Sequence, residues 1–315
     1  MKTLVPVACG FLLLAEGAFA QDTSAPATAV NIALVATPSS SYVSGDTRET
    51  ALNDGSSPQS SRGDRRGSYG NWPRTGTQWV QYEWSQPIST KQIEVYWWDD
   101  RQGVRLPKAS RLKVWDGKEF VPAKNASGLG VAADKFNATT FDEVTTSKLR
   151  LEMDGDGEFS TGILEWKVYD SGKSPEFPPS VVAGVDRVVM LGGKTYLSGK
   201  VKSLKPDSAA RVTWTKEAGP GSVKFENPNA VETTATFSMR GNYLLRLTAG
   251  EGRLSSSSTL NVKVEMPPKS ERLDVVYTKR YQIDSPLWNA RAKSLIVNWI
   301  PHCIDMINRT NLTQG

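Results

Sequence analysis

The feature that most constrains the fold is a pair of neighbouring segments in which apolar side chains occupy every second position. The segments are residues 79–84 and 91–100, and a turn-forming stretch, 85–89, separates them. The alternating apolar residues are Val80, Tyr82, Trp84, Ile93, Val95 and Trp97. A period of two with β-branched and aromatic side chains is typical of strands that bury one face. The pattern therefore predicts two paired strands with a break at 85–89.

The same alternation continues on both sides of these segments. Between residues 31 and 170, Gly and Asp residues separate further alternating runs at 111–115, 148–153 and 163–169. No long helical periodicity interrupts them, which predicts an antiparallel sandwich or barrel. A second region of about ninety residues, 178–265, has short and regularly spaced strands, as expected of an immunoglobulin-like sandwich.

Composition changes mark the domain boundaries. Stretches rich in small residues or proline are typical of linkers. The predicted organisation is a signal peptide at 1–20, a linker at 21–30, a first domain at 31–170, a linker at 171–177, a second domain at 178–265, and a linker with a helical tail at 266–315.

The first twenty residues have the form of a cleaved secretory signal. Lys2 precedes an apolar run from residue 4 to 14, and Ala18-Phe19-Ala20 supplies a small-residue cleavage motif. The apolar run is shorter than the ~20 residues that span a bilayer, so we expect no membrane span. The mature protein is expected to be secreted, periplasmic or on the cell surface. It retains one cysteine, Cys303, so it forms no internal disulfide.

Charge and histidine content narrow the function. The net charge is +5, from 38 basic and 33 acidic residues that are scattered along the chain. This pattern lacks the basic stripe of nucleic-acid binders, and we expect no nucleic-acid partner. His302 is the single histidine, so the chain has no multi-histidine metal site and we expect no complete active site within it. The sequence leaves the oligomeric state undetermined.

The tail predicts an amphipathic helix. Ser285 and Pro286 suit an N-cap and a first helical position. Apolar residues then recur at three-to-four spacing: Trp288, Ala292, Leu295, Ile296, Trp299, Ile300, Cys303, Ile304 and Ile307. Pro301 is expected to kink or split the helix. A lone helix cannot bury such a stripe, so it must pack on the preceding domains, on another chain or on a further domain.

Five short motifs in order give residues 31–170 a recognisable signature. They are Ala51-Leu52-Asn53-Asp54-Gly55, Trp79-Val80-Gln81-Tyr82, Gln92-Ile93-Glu94-Val95-Tyr96, Pro107 followed by Leu112-Lys113-Val114-Trp115-Asp116-Gly117, and Gly162-Ile163-Leu164-Glu165-Trp166. The segment resembles the F5/8 type C (discoidin-like) domain, also seen as carbohydrate-binding module family 32. The resemblance implies an eight-stranded jelly-roll sandwich that binds a glycan or polysaccharide through loops at one end.

The resemblance also implies a structural calcium. The family's ligands match Asp54 and Glu165 here, and backbone carbonyls from residues 51–60 would complete a shell of six to eight oxygens. The sequence departs from the family at Ser60-Ser61-Arg62, where relatives often have a threonine and a tryptophan. The alternative interpretation is an ordinary Asp-Gly turn and an exposed strand glutamate.

Four residues are candidates for sugar binding. A sugar site needs an aromatic plate and a few directed polar groups. The candidate plates are Trp72 and Trp98, and the candidate polar groups are Arg101 and Arg105. In the alternative interpretation both tryptophans cap the core, because Trp is usually largely buried.

Two further resemblances suggest how the domains are used. Residues 178–265 resemble a PKD-like immunoglobulin sandwich, for example at Gly241-Asn242-Tyr243-Leu244-Leu245, and such domains usually act as spacers. The tail from Tyr277 onward resembles, on the strength of residues 298–304, the opening of a family 127-type glycoside hydrolase domain, the β-L-arabinofuranosidase group. Together these imply a secreted carbohydrate-binding module with a spacer, the N-terminal targeting part of a polysaccharide-degrading glycoside hydrolase. The alternatives are a cell-surface adhesion or protein-binding module, and a glycosidase whose catalytic domain lies beyond this chain.

Overall fold

The protein is described by a computed structural model that covers residues 30–63, 65–205, 210–267 and 285–308. The predicted signal peptide and nearly all of the linker at 21–30 lie outside the described residues. The fold is all-β, with two sandwiches in sequence followed by a short helical segment, as the sequence predicted.

The first sandwich contains eight strands. They are β1 (Thr37–Ser40), β2 (Tyr69–Gly70), β3 (Thr77–Trp97), β4 (Val104–Arg105), β5 (Ala109–Trp115), β6 (Phe120–Pro122), β7 (Phe136–Asp154) and β8 (Ser160–Asp170). Short 3-10 helices lie at Ile32–Val35, Glu49–Asn53 and Arg65–Gly67. The strand order is β2-β8-β3-β7-β5-β6, with β1 paired to β3 and β4 to β8.

The predicted break at 85–89 is wrong, because β3 continues through it as one 21-residue strand. The two halves of β3 do not pair with each other. Both pair with β7, and the register shifts between Glu83 and Ile88 and again between Thr90 and Gln92. Pro87 lies in the first irregularity, where a residue without an N–H is tolerated. The proline therefore accompanies an irregularity in the pairing and does not reverse the strand.

The alternating residues of β3 form the core, as predicted. All six apolar side chains at the alternating positions are buried, and they pack with residues of β7 and β8. Tyr82 stacks on Trp166 with 4.2 Å between ring centroids, and its hydroxyl donates to the carbonyl of Leu52 at 2.6 Å. Burying an aromatic residue whose polar atom is satisfied stabilises the sandwich without an unpaired group.

A second, smaller cluster lies on the opposite face of β3. Tyr96, Trp98, Val104 and Leu164 are buried there, away from the main core. Gly162 of β8 lies directly against Trp98: a Cβ at this position would come within 2.6 Å of the indole Cε3 and 2.8 Å of the Tyr69 carbonyl. The end of β3 is therefore packed on both of its faces.

The second sandwich contains nine strands. They are β9 (Ser180–Val182), β10 (Arg187–Met190), β11 (Lys194–Ser198), β12 (Lys200–Lys202), β13 (Arg211–Ala218), β14 (Val223–Phe225), β15 (Glu232–Phe237), β16 (Gly241–Glu251) and β17 (Leu254–Glu265). Sheets β10-β17-β16-β13 and β11-β15-β14 enclose a core around Trp214 and Tyr243, and β9 pairs with β12. This confirms the predicted immunoglobulin-like sandwich.

The two sandwiches touch near the linker. Phe177, at the end of the linker, is buried in the core of the first sandwich, and Leu204 of the second packs against the same core. The ammonium of Lys202 donates to the backbone carbonyl of Asn53 at 2.5 Å. A polar contact and apolar packing therefore join the domains at one place.

The tail is helical, as predicted. It comprises α1 (Pro286–Ser294), a π-helical turn (Leu295–Trp299) and α2 (Ile300–Asn308). The N–H of Ile300 donates to the Leu295 carbonyl, five residues back, just before Pro301. The helical run continues through the proline with a π-helical turn just ahead of it, so it is not split, and the expected kink stays a prediction.

The tail lies against the second sandwich but leaves apolar side chains exposed. Arg187 donates to the Ile296 carbonyl at 3.2 Å, and Lys293 pairs with Glu232 at 2.9 Å. The exposed apolar residues of the tail include Leu287, Trp288, Leu295, Trp299, Ile300, Ile304 and Ile307. None of the described helices has the length and apolar character needed to cross a membrane.

Replacing Gly162 tests the packing at the end of β3. Gly162→Ala forces a methyl group against Trp98 and the Tyr69 carbonyl, and overpacking of this kind costs about 1–3 kcal/mol. Gly67→Ala is the matched control, because a Cβ there meets no atom within 4 Å. Urea denaturation should show a lower midpoint for the first variant and little change for the second. Equal midpoints would contradict the close packing.

Candidate functional site

Several loops of the first sandwich meet at one end. Asp154 ends β7 and Ser160 begins β8, and the turn between them lies beside the loop that leads into β3, where the N–H of Gly155 donates to the Gly76 carbonyl at 3.0 Å. The loop that follows β3 joins this group, because the N–H of Ser160 donates to the Gly103 carbonyl at 3.0 Å. The antiparallel pairing of β3, β7 and β8 therefore brings these loops together.

Trp72 stands exposed in this group of loops. It is 56% exposed. The preceding residue, Asn71, is buried and exchanges two side-chain hydrogen bonds with Thr161 of β8, at 2.7 and 2.9 Å. Gly103 lies against the indole, since a Cβ there would come within 2.6 Å of Trp72 Cδ1. One edge of Trp72 is thus held by the scaffold while more than half of its surface faces solvent.

Trp98 lies in a different environment. It is 2% exposed, and its indole N–H donates to the carbonyl of Gly63 at 3.2 Å. Its ring is covered by Gly70 and Gly162. Trp98 was predicted as a stacking plate, but the structure leaves it no open ring face because the adjoining loops cover it. The placement is that of the alternative interpretation, a tryptophan that caps the core.

A cleft opens above the edge of Trp98. It has a volume of about 500 Å³, and its lining residues are Arg62, Gly63, Arg65, Trp98, Asp100, Arg101 and Gln102. Small-ligand sites typically have about 300–1,000 Å³. Trp72 does not line the cleft itself, but it contacts Gly103, the residue that follows the lining residue Gln102.

The loop that carries Arg101 is fixed by two aspartates. The Asp99 carboxylate accepts the Arg101 N–H at 2.8 Å, and the Asp100 carboxylate accepts the N–H groups of Gln102 and Val104 at 2.8 and 2.9 Å. Arg101 has φ of 58°, a left-handed conformation that these bonds stabilise. The Arg101 side chain is exposed and lines the cleft, and its role in ligand binding stays a prediction.

Arg105, the other predicted arginine, is engaged elsewhere. Its guanidinium pairs with Asp99 at 3.2 Å and lies over the ring of Phe159, 4.9 Å from the centroid. It does not line the cleft. Arg105 therefore supports the loop that presents Arg101.

Sequence reasoning missed Arg62, Arg65 and Gln102. The guanidinium of Arg65 spans the loops, 3.0 Å from the Asp46 carboxylate and 3.2 Å from Gln102 Oε1. The sequence does contain a short cluster of basic residues around residue 62. Such a cluster in a polar loop does not show which distant segment of the chain lies beside it in the fold. Only the fold places residue 62 beside residue 101.

The predicted metal ligands meet at a separate place, close to the second sandwich. Glu165 is 0% exposed; Oε2 accepts the N–H of Gly55 at 3.2 Å, and Oε1 has no hydrogen-bond partner among the described residues. Asp54 follows the 3-10 helix Glu49–Asn53, and its carboxylate accepts the Ser56 N–H at 3.0 Å. The alternative interpretation of Glu165 as an exposed strand glutamate is wrong, because the Asp-Gly turn and the second sandwich cover it.

Burial dominates the electrostatics at Glu165. Desolvation, and after it the negative charge of Asp54, raise the pKa of Glu165 to about 8. Lys202 contributes a positive charge from the second sandwich, and its own pKa is lowered by burial. The donor set consists of two carboxylates and nearby carbonyls, which are the hard oxygens that calcium prefers. The residues therefore fit a calcium ion, although Lys202 holds the carbonyl of Asn53.

Comparison with known proteins identifies the second sandwich. Residues 180–264 match the PKD domain family. The second sandwich is a PKD domain. The chain is also similar to the solved PKD domain from KIAA 1837 protein, with 32% identity over 32% of this chain and 100% of that chain and a TM-score of 0.24.

Similar solved structures also include carbohydrate-binding modules. One is the family 32 module from C. perfringens NanJ, solved with galactose: 12% identity, 45% of this chain, 98% of that chain and a TM-score of 0.37. The chain is also similar to a structure from the β-galactosidase BgaA of Streptococcus pneumoniae, with 17% identity over 44% of this chain and 93% of that chain and a TM-score of 0.40. These are similarities of fold to part of the chain.

The buried Glu165 predicts a specific pH dependence. Because its folded pKa is raised above the unfolded value, the folded state holds a proton that the unfolded state has lost between about pH 4.5 and 8. The free energy of unfolding in EDTA should therefore fall as pH rises through this range. The Glu165→Gln variant has no titrating side chain at this position, so its free energy of unfolding should lack this part of the pH dependence. Urea denaturation across the range would measure it, and identical slopes would contradict the assignment.

Proposed function

We propose that the first domain is a carbohydrate-binding module and that the PKD domain is its spacer. The observation that carries the proposal is Trp72, an indole anchored at one edge and exposed over most of its surface beside a polar cleft. The apolar face of a sugar ring stacks on such a plate, while cleft residues bind its hydroxyl groups. An aromatic surface with a few directed polar groups is the usual composition of a small-ligand site.

Several properties of this end of the sandwich support sugar binding. The loops are held by side-chain hydrogen bonds from Asn71, Asp99 and Asp100, so binding does not have to order them. The cleft is open and polar, which suits a hydrated ligand that is part of a longer chain. A module of this kind would be exported, in accord with the predicted signal peptide.

The finer proposal is that the chain is the targeting part of a polysaccharide-degrading glycoside hydrolase. The supporting observation is the helical segment 286–308, whose exposed apolar side chains form a surface that a further domain would cover. In this proposal the hydrolytic role belongs to the domain that packs on the helix.

We further propose that Asp54 and Glu165 hold a structural calcium. The buried Oε1 of Glu165 lacks a hydrogen-bond partner among the described residues, and an unpaired carboxylate oxygen of this kind is costly unless a cation satisfies it. Calcium would link the turn at 54–55 to β8. Lys202 of the PKD domain lies at the same place and would compete for the carbonyl of Asn53.

Trp72→Ala tests the sugar plate. The variant should lose retention on a glycan array while its free energy of unfolding changes by less than about 1 kcal/mol, because the side chain is largely exposed. Trp288→Ala is the matched control, since Trp288 is also 56% exposed but lies in the helical tail. A large fall in stability for Trp72→Ala, or equal loss of binding in both variants, would contradict the assignment.

Lys202→Met tests the calcium site. Removing the ammonium frees the Asn53 carbonyl and takes away a positive charge that repels calcium. Isothermal titration should therefore show tighter calcium binding by the variant than by the wild type. EDTA should lower the melting temperature of both proteins, and Asp54→Asn should abolish this effect. Lys194→Met, an exposed change elsewhere in the PKD domain, is the control. Absence of calcium binding in the wild type and in Lys202→Met would refute the site.

A further inference from the structure

We propose that the cleft beside Trp72 binds an acidic group of the glycan, so that the ligand is a sugar unit that carries a carboxylate or a sulfate. This inference rests on the proposed carbohydrate-binding function and adds the chemical class of the ligand. Three observations support it: arginines line the cleft, the carboxylates around the cleft already form hydrogen bonds or ion pairs, and Gly103 beside the cleft contacts Trp72.

Three arginines line one small space. Arg62 and Arg65 come from the segment before β2, and Arg101 comes from the loop after β3. All three are exposed. Cations that gather in an open cleft repel each other, and this arrangement is favourable when an anion enters between them.

The carboxylates around the cleft already form hydrogen bonds or ion pairs with the loops. Asp99 accepts the Arg101 N–H and pairs with Arg105, and Asp100 accepts two backbone N–H groups. Asp46 pairs with Arg65. These carboxylates shape the walls of the cleft and neutralise the arginines that serve as supports.

Two guanidinium groups remain available. The side chains of Arg62 and Arg101 have no hydrogen-bond or ion-pair partner within the described part of the chain. A guanidinium presents a planar set of donors that matches a carboxylate or sulfate in bidentate fashion, and such charge-assisted bonds are about twice as strong as neutral ones. A neutral hydroxyl uses this capacity poorly.

A side-chain amide completes the set of donors. Gln102 Oε1 accepts from Arg65 at 3.2 Å, which orients the amide and leaves its NH₂ group to donate. The residue after it, Gly103, touches the indole of Trp72. In this proposal a sugar unit stacked on Trp72 directs its acidic substituent past Gly103 and Gln102 toward the arginines.

Isothermal titration of the full chain would test this. The probes are a tetragalacturonate, its neutral, fully methyl-esterified form, a κ-carrageenan tetrasaccharide, whose only acidic groups are sulfates, and its neutral, desulfated form. At least one acidic probe should bind about tenfold or more tightly than its neutral counterpart. The double variant Arg62→Gln/Arg101→Gln should remove this preference, whereas Arg240→Gln, an exposed arginine of the PKD domain, should not. Which acidic probe binds distinguishes carboxylate from sulfate.

The outcomes separate this inference from the proposed function. Equal binding of acidic and neutral probes, with loss in Trp72→Ala, would overturn the acidic ligand and leave the sugar plate intact. Binding of no glycan would overturn both. Equally tight binding of an oligothymidylate would show attraction of any polyanion and would also overturn the inference. Preference for an acidic glycan over the oligothymidylate, lost in the double variant, supports it.

Discussion

The structure of the first domain depends on β3, a single long strand that hydrogen-bonds to β7 along most of its length and to β8 along its second half. Two register shifts interrupt its pairing with β7, and its side chains supply much of the core. Because β3 is buried on both faces near its end, it delivers Trp97 to the main core and Trp98 to the base of the cleft. The loops that carry Trp72 and Arg101 are then fixed relative to each other by the ends of this strand and its neighbours.

Rigidity at the loop end has a functional consequence. Asn71 ties the Trp72 loop to β8, and the two aspartates after β3 close the next loop on its own backbone. A flexible plate and flexible arginines would each lose conformational freedom on binding, whereas these are ordered beforehand. For the proposed glycan ligand, the affinity would then depend on contacts and charge and less on the cost of ordering the site.

The sequence predicted the parts of the fold that local patterns control. Alternation at Val80, Tyr82 and Trp84 identified the core, and the apolar spacing after Pro286 identified the helix. The turn predicted at Pro87 was wrong, because a proline in a polar stretch gives the same sequence pattern in a turn and in an irregular part of a continuous strand. The sequence did not show that Trp98 is buried, because the glycines that cover it, Gly70 and Gly162, come from other segments. The same reason applies to two further features that only the three-dimensional structure shows. Arg62 and Arg101 line one cleft, and Glu165 is buried near Lys202.

The central claim is that the loop end of the first domain binds a glycan. The most direct test is a chemical-shift map of the ¹⁵N-labelled chain titrated with tetragalacturonate and with its methyl-esterified form. We expect the shifted signals to cluster at residues 62–65, 71–74 and 99–105, together with the indole N–H of Trp72. Shifts confined to the PKD domain or the helical tail, or no shifts with either sugar, would contradict it.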